Sequence, residues 1–127
     1  MQDKQPGNIQ AAITFFYYKD PQKANTFYHD ILGLELAVDQ GWSKIYKISE
    51  GAFMGVVDEA RGAQRANEIK PVELTLIVDD PDQWYTYLKG QDVTIISEPK
   101  TLEELKLRMF LINDPEGYLI EIQKFIV

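Results

Sequence analysis

Two hydrophobic periods alternate along this chain, and their alternation repeats. Residues 13–18 (Ile-Thr-Phe-Phe-Tyr-Tyr) and 73–78 (Glu-Leu-Thr-Leu-Ile-Val) are short runs rich in β-branched and aromatic side chains, as strands are. Each run leads into an Asp-Pro step, Lys19-Asp20-Pro21-Gln22 in the first case and Asp79-Asp80-Pro81-Asp82 in the second, 60 residues apart. Aspartate as N-cap accepts a free backbone N–H, and proline in the first turn has none to satisfy, so each step opens a helix. Behind the first, Ala24, Phe27, Tyr28, Ile31 and Leu32 fall on one stripe of a 3.6-residue period; Trp84, Tyr87 and Leu88 repeat it behind the second. Gly33 and Gly90 stand where a left-handed helix end favours glycine.

A second feature recurs 66 residues apart: Glu50-Gly51 leads into Ala52-Phe53-Met54-Gly55-Val56, and Glu116-Gly117 leads into Tyr118-Leu119-Ile120-Glu121-Ile122. Each reads as a turn feeding an apolar strand. The different offset places a longer loop in the second half, around residues 99–105, where Thr101 and Glu104 have capping-box spacing for a short helical turn. Further strands are expected at 34–38 and 44–48, with Gly41-Trp42 at a hairpin turn, and at 93–97 and 107–112. Each half therefore reads strand–helix–strand–strand–strand. The expectation is a single α+β domain over residues 1–127: module one at about 9–58, a polar linker at about 59–70, and module two at about 71–127. Ala60, Ala63 and Ala66 support a helical turn in the linker.

A four-stranded sheet with one helix buries one face only, so each module needs a partner. Two βαβββ modules side by side are expected to form a curved mixed sheet, with helices outside and a concave ligand cleft inside. Open module edges favour pairing of chains, so a homodimer is expected.

Composition narrows the function. Hydrophobic residues make up 45% and charged residues 26%, which is ordinary for a globular domain. The net charge of −7 argues against a nucleic-acid binder and against anionic membrane surfaces, both of which need a basic face. The absence of cysteine excludes disulfides, thiolate catalysis and Cys-type zinc sites. The polar stretch 1–8 lacks the apolar core of a secretory signal and no run is long enough to span a membrane, so the expected compartment is the cytoplasm. Phosphate-binding glycine loops, nucleophile elbows and HExxH sequences are absent.

Two longer motifs carry a family resemblance. Phe27-Tyr28-His29-Asp30-Ile31-Leu32-Gly33-Leu34-Glu35-Leu36 and Asn113-Asp114-Pro115-Glu116-Gly117-Tyr118-Leu119-Ile120-Glu121-Ile122 resemble the helix-end and C-terminal signatures of the vicinal oxygen chelate superfamily, the glyoxalase, bleomycin-resistance and extradiol-dioxygenase group. With the two strand–Asp-Pro openings, the resemblance covers roughly residues 10–125. It implies paired βαβββ modules and, in metal-dependent members, one divalent ion held from the opening and last strand of each module. The matching positions here are Ile13 and Gly55 in module one and Glu73 and Glu121 in module two. Two of the four have no ligating side chain. No tight metal or other cofactor is therefore expected; a divalent ion, if bound, would rest on Glu73 and Glu121.

Alternation assigns the faces. Leu74, Leu76 and Val78 suit the helix side, which leaves Glu73, Thr75 and Ile77 for the cleft. Ile13, Phe15 and Tyr17 occupy the matching face of the first strand, and Leu119, Glu121 and Gln123 share one face of the last. Trp42, Tyr46, Phe53 and Phe110 are candidates for an aromatic platform, with plain core packing as the alternative. Arg108 is a candidate anchor for an anionic group. Glu121, in a nearly apolar strand, and Glu73 are the candidate acid–base residues; the competing reading pairs Glu121 with Arg108 or Lys106. His29 is expected as an exposed helix-end residue. The function expected is binding of an unidentified small molecule in the cleft without a tight metal. The alternatives are a metal-dependent lyase, isomerase or dioxygenase of the same group, and an interaction subunit without a small ligand.

Overall fold

The computed structural model describes residues 6–126. The first half contains β1 (Ala12–Tyr18), a 3-10 turn (Pro21–Lys23) running into a π-helical segment (Thr26–Ile31), then β2 (Glu35–Asp39), β3 (Ser43–Ser49) and β4 (Ala52–Asp58). The second contains β5 (Glu73–Ile77), α1 (Pro81–Lys89), β6 (Thr94–Ile95), β7 (Lys100–Leu102), β8 (Leu107–Asn113) and β9 (Leu119–Phe125). The architecture is α+β, two successive βαβββ units, the second with one extra short strand.

The strands hydrogen-bond as two sheets within the chain, ordered β1-β4-β3-β2 and β5-β9-β8-β6, with β7 also on β8. In each sheet the opening strand lies parallel to the last strand of its module, and the other pairs are antiparallel. The registers correspond: Ile13 is opposite Phe53 and Phe15 opposite Gly55, as Glu73 is opposite Leu119 and Thr75 opposite Glu121. β1 and β5 each have one unpaired edge.

Both Asp-Pro steps open helical segments as their chemistry requires. The Asp20 carboxylate accepts from Gln22 N, and the Asp80 carboxylate from Asp82 N and Gln83 N. Gly33, at φ +78°, ends the first segment in the left-handed conformation, while Leu34 N–H donates to the Tyr28 carbonyl at 2.9 Å. Gly90 departs from expectation. Its φ is −88°, because its N–H closes back onto the Tyr87 carbonyl at 3.1 Å, a tightened last turn that needs no left-handed residue.

Two other expectations are corrected. Thr101 does not cap a helical turn; it lies in β7 opposite Arg108, whose Nη1 donates to its hydroxyl at 3.0 Å. The linker holds turns in place of a helix, because Arg65 Nη1 donates to the carbonyls of Glu59, Gly62 and Gln64 and winds the chain around its guanidinium.

One hydrophobic core joins the modules. Phe16 and Tyr18 of β1, Phe27 and Tyr28 of the helical segment, Met54 and Val56 of β4, Leu88 of α1, and Phe110, Ile112, Ile120 and Ile122 of β8 and β9 form one buried cluster. The rings of Phe16 and Tyr118 stack at 4.1 Å across the module boundary. Asp114 fastens the same boundary. Its Oδ1 accepts the N–H groups of Glu116, Gly117 and Tyr118, and its Oδ2 accepts the hydroxyls of Tyr18 and Tyr28. Burial pushes the Asp114 carboxyl up, and these hydrogen bonds oppose the shift.

Candidate functional site

The helices and the shared core occupy one face of each sheet. The other face, called here the open face, carries the alternate residues, and the two modules furnish it with different chemistry.

In module two, β5 and β9 run parallel at the sheet's edge, so residues on one face of both strands lie side by side. Leu74 and Leu76 pack on the core, which turns Glu73, Thr75 and Ile77 to the open face; Ile120 and Ile122 likewise turn Glu121 and Gln123 there. The Thr75 hydroxyl lies 3.1 Å from Glu73 Oε2 and 3.1 Å from Glu121 Oε1. Burial and the neighbouring Glu73 push the Glu121 carboxyl above its ordinary value, against a smaller opposing effect from Thr75. Gln123, beside Glu121 on the same face, is only 6% exposed.

In module one the equivalent positions of β1 and β4 are apolar, with Lys47 of β3 opposite Phe53. Ile13, Phe15 and Tyr17 line β1, and Phe53 stands opposite Ile13. A Cβ on Gly55 would lie 2.6 Å from two ring carbons of Phe15, so the aromatic ring occupies the space a side chain at this position would need. Ile13 is 43% and Phe15 40% exposed, and Ile77 on the opposite module is 59% exposed. Such exposure leaves these parts of β1 and β5 uncovered in a single chain.

The structure thus gathers Ile13, Phe15, Tyr17 and Phe53 on one half-site and Glu73, Thr75, Glu121 and Gln123 on the other. Four expected lining residues are corrected. Tyr46 stands opposite Met54 on the core face, fully buried, and its hydroxyl donates to Asn25 Oδ1 at 3.0 Å; burial pushes its pKa up to about 12. Phe110, opposite Ile122, is buried edge-on against Tyr85. Arg108 also points to the helix face. Its Nε and Nη2 grip the Asp82 carboxylate of α1 at 2.7 and 2.8 Å. Trp42 lies in the turn between β2 and β3, with the Arg61 guanidinium over its ring. In the first three the parity of the strand decides the face, and aromatic or charged character does not.

The same parity removes Arg108 as a partner of Glu121, and among the described residues no ion pair joins Lys106 to it. Leu111 is the residue opposite it on β8, so Arg108 lies on the other side of the sheet. Ile45 on β3 and Met109 and Leu111 on β8 share the open face and were not among the sequence candidates; counting alternation from Gly55 or Glu121 across the ladder finds them. His29 is exposed at the helix end, where its Nδ1–H donates to the Leu34 carbonyl.

The four positions at which a divalent ion would be held combine two carboxylates with an isoleucine and a glycine, the glycine covered by Phe15. A divalent ion bound in open coordination draws its protein ligands from imidazole or carboxylate groups, and two carboxylates leave most of its shell to water. The set does not fit a tightly held metal. Pairing modules between two identical chains leaves the sum unchanged. Among the described residues no group of three or more His, Cys, Asp or Glu could hold an ion, and no helix is long and apolar enough to cross a membrane.

The profile of the glyoxalase/bleomycin resistance protein/dioxygenase superfamily matches residues 10–122. Protein YraH of Bacillus subtilis (strain 168), itself uncharacterized, is 27% identical over 117 residues, covering 84% of this chain and 91% of its own. Lactoylglutathione lyase from Agrobacterium tumefaciens superposes with a TM-score of 0.72 at 19% identity, over 94% of this chain and 96% of its own. TioX from Micromonospora sp. ML1 gives a TM-score of 0.75 at 17% identity, over 91% and 98%. These two likenesses are of fold. With a profile spanning nearly all of both modules and the matching duplicated register, the chain belongs to the glyoxalase/bleomycin resistance protein/dioxygenase superfamily.

Proposed function

We propose that the protein binds a small organic molecule on its open face without a tightly held metal, and that two copies of the chain join to wall the site. The observation that carries this reading is Phe15 lying over Gly55. Where a ligating side chain would stand, module one presents an aromatic surface, and module two presents carboxylates and a hydroxyl on the corresponding strands. A largely apolar wall with a few convergent polar groups is the usual make-up of a ligand pocket. Second-copy pairing is supported by the unpaired edges of β1 and β5 and by the exposure of Ile13, Phe15 and Ile77 beside them.

The test is a melting-temperature screen with a metabolite panel, run beside metal analysis of the chelator-treated protein and a light-scattering mass. A compound that binds only the folded state must raise Tm. Stabilisation by at least one compound, no stoichiometric metal and a dimeric mass are expected. Stoichiometric metal surviving chelation would overturn the metal-free reading, and a monomer with bound ligand would overturn the pairing.

A second reading, a metal-assisted lyase, isomerase or dioxygenase, is favoured by one observation: Glu73 and Glu121 stand together at two of the four ligand positions. It requires metal-dependent turnover that both Glu73→Gln and Glu121→Gln abolish.

A further inference from the structure

A groove runs along the seam between the modules, beside the Asp114 fastener. Its volume is about 440 Å³, within the range of small-molecule pockets. One wall comes from the 3-10 turn and the π-helical segment of module one, the other from residues 92–94 and 113–115 of module two. It shares no residue with the two half-sites of the open face. The winding of the first helical segment shapes it. Leu32 N–H donates to the Phe27 carbonyl, five residues back, at 2.9 Å, the hydrogen bond of a π-turn. Thr26 and Ile31, also five apart, both line the groove with Phe27; on an α-helix they would point about 140° apart. Such turns are uncommon and recur at functional sites, whereas the equivalent helix of module two, α1, is wound as an ordinary α-helix.

The lining of the groove sorts by chemistry. Phe27, Ile31 and Val93 give it an apolar floor, Phe27 buried and the other two half-buried. Thr26, Thr94 and Asn113 bring two hydroxyls and an amide. Three charged groups border it, Lys23 from module one and Asp92 and Asp114 from module two. Asp114 is spent on its five hydrogen bonds. Lys23 and Asp92 are exposed, and among the described residues neither enters an ion pair. A cation and an anion therefore border one small groove from opposite walls, each open to a partner.

We infer that this seam groove binds a small zwitterion with an apolar body, its carboxylate toward Lys23 and its ammonium toward Asp92. The Lys23 ammonium donates to the ligand carboxylate, the Asp92 carboxylate accepts from the ligand ammonium, and the body lies over Phe27, Ile31 and Val93. A neutral polyol would leave both charges unanswered, and a ligand of single charge would leave one of them so. Apolar amino acids and short peptides with free termini belong to this class. An occupant of this kind touches both modules and so ties them at the boundary that Asp114 already fastens. The site is separate from the open face, and the inference does not depend on what that face binds.

The experiment is titration calorimetry of the intact protein with leucine, leucyl-leucine and 6-aminohexanoate, zwitterions of different charge separation. 3-Methylbutylamine and 4-methylpentanoate serve as their cationic and anionic counterparts. At least one zwitterion is expected to bind about tenfold more tightly than either counterpart. Lys23→Gln should erase the preference over the amine and keep the preference over the carboxylate; Asp92→Asn should do the reverse. A merely structural effect would weaken every compound alike. Denaturation curves establish that both variants fold; if either does not, the ranking of the compounds on the unaltered protein decides alone. Zwitterions that bind no better than their counterparts, preferences that survive both substitutions, uniform weakening, or no binding by any compound of the set overturns the site. None of these results touches the open-face reading, which the metabolite screen tests.

Discussion

The two modules are built on one plan and finished with opposite chemistry. Each pairs its opening strand parallel to its last strand in the same register, so Phe15 and Gly55 in one occupy the places of Thr75 and Glu121 in the other. On the core faces the equivalents stay apolar: Phe16 and Val56 against Leu76 and Ile122. On the open faces Ile13, Phe15 and Gly55 give way to Glu73, Thr75 and Glu121, while Phe53 and Leu119 both stay apolar. Backbone hydrogen bonding and core packing constrain only every second residue of a strand, and the alternate residues are free to change. The duplicated fold thus keeps one register while its two halves carry different side chains on β1 and β5 and on the last strands.

The largest effect is expected where the modules meet. Asp114→Asn replaces a carboxylate that accepts five hydrogen bonds, including those of Tyr18 and Tyr28, with an amide that has one acceptor and a misplaced donor. Urea unfolding should show a loss on the order of 2–4 kcal/mol. An unchanged midpoint would mean that the hydrophobic seam alone holds the modules together.

A smaller loss is expected from making module one resemble module two. Gly55→Glu forces a Cβ against the Phe15 ring and should cost about 1–3 kcal/mol. Adding Phe15→Thr should restore part of that, but not all, because the Lys44 carbonyl oxygen also lies 3.1 Å from the new Cβ. With Ile13→Glu as well, all four ligand positions become carboxylates, and Tm should then rise on adding Mn2+, as it should not for the unaltered chain. Equal metal responses in the two proteins would break the contrast between half-sites.

The smallest effect concerns Glu121. Its folded-state pKa lies above the ordinary 4.5, so the folded protein holds more protons than the unfolded chain between those two values. Stability therefore falls as pH rises through that window, and the penalty persists above it. Glu121→Gln removes the charge; Tm should rise by about 2 °C at neutral pH and stay unchanged at pH values below the ordinary carboxylate range. A Tm that drops at neutral pH would show that the ionised carboxylate is stabilised by groups other than Thr75.

Much of this was legible along the chain. The Asp20-Pro21 and Asp80-Pro81 openings, the helical stripes and the alternation in 73–78 and 119–123 report local conformation, and they place Glu73, Thr75, Glu121 and Gln123 on one face. For Tyr46, Phe110 and Arg108 residue type points to the open face, whereas strand parity turns them to the core and helices. For Thr101, pairing with β8, where Arg108 donates to its hydroxyl, and, for the alanines of the linker, the hydrogen bonds of Arg65 to nearby carbonyls overrode the helical preference.

By itself the sequence determined the kind and order of most elements, since each depends on residues a few places apart, and the recurrence of that order 60 to 66 residues on. Only tertiary structure decided what the side chains do. Tyr18 meets Asp114 across 96 residues, Arg108 meets Asp82 across 26 and Thr75 meets Glu121 across 46. Such contacts depend on which strands become neighbours and which faces a shared core claims, and no local period encodes that.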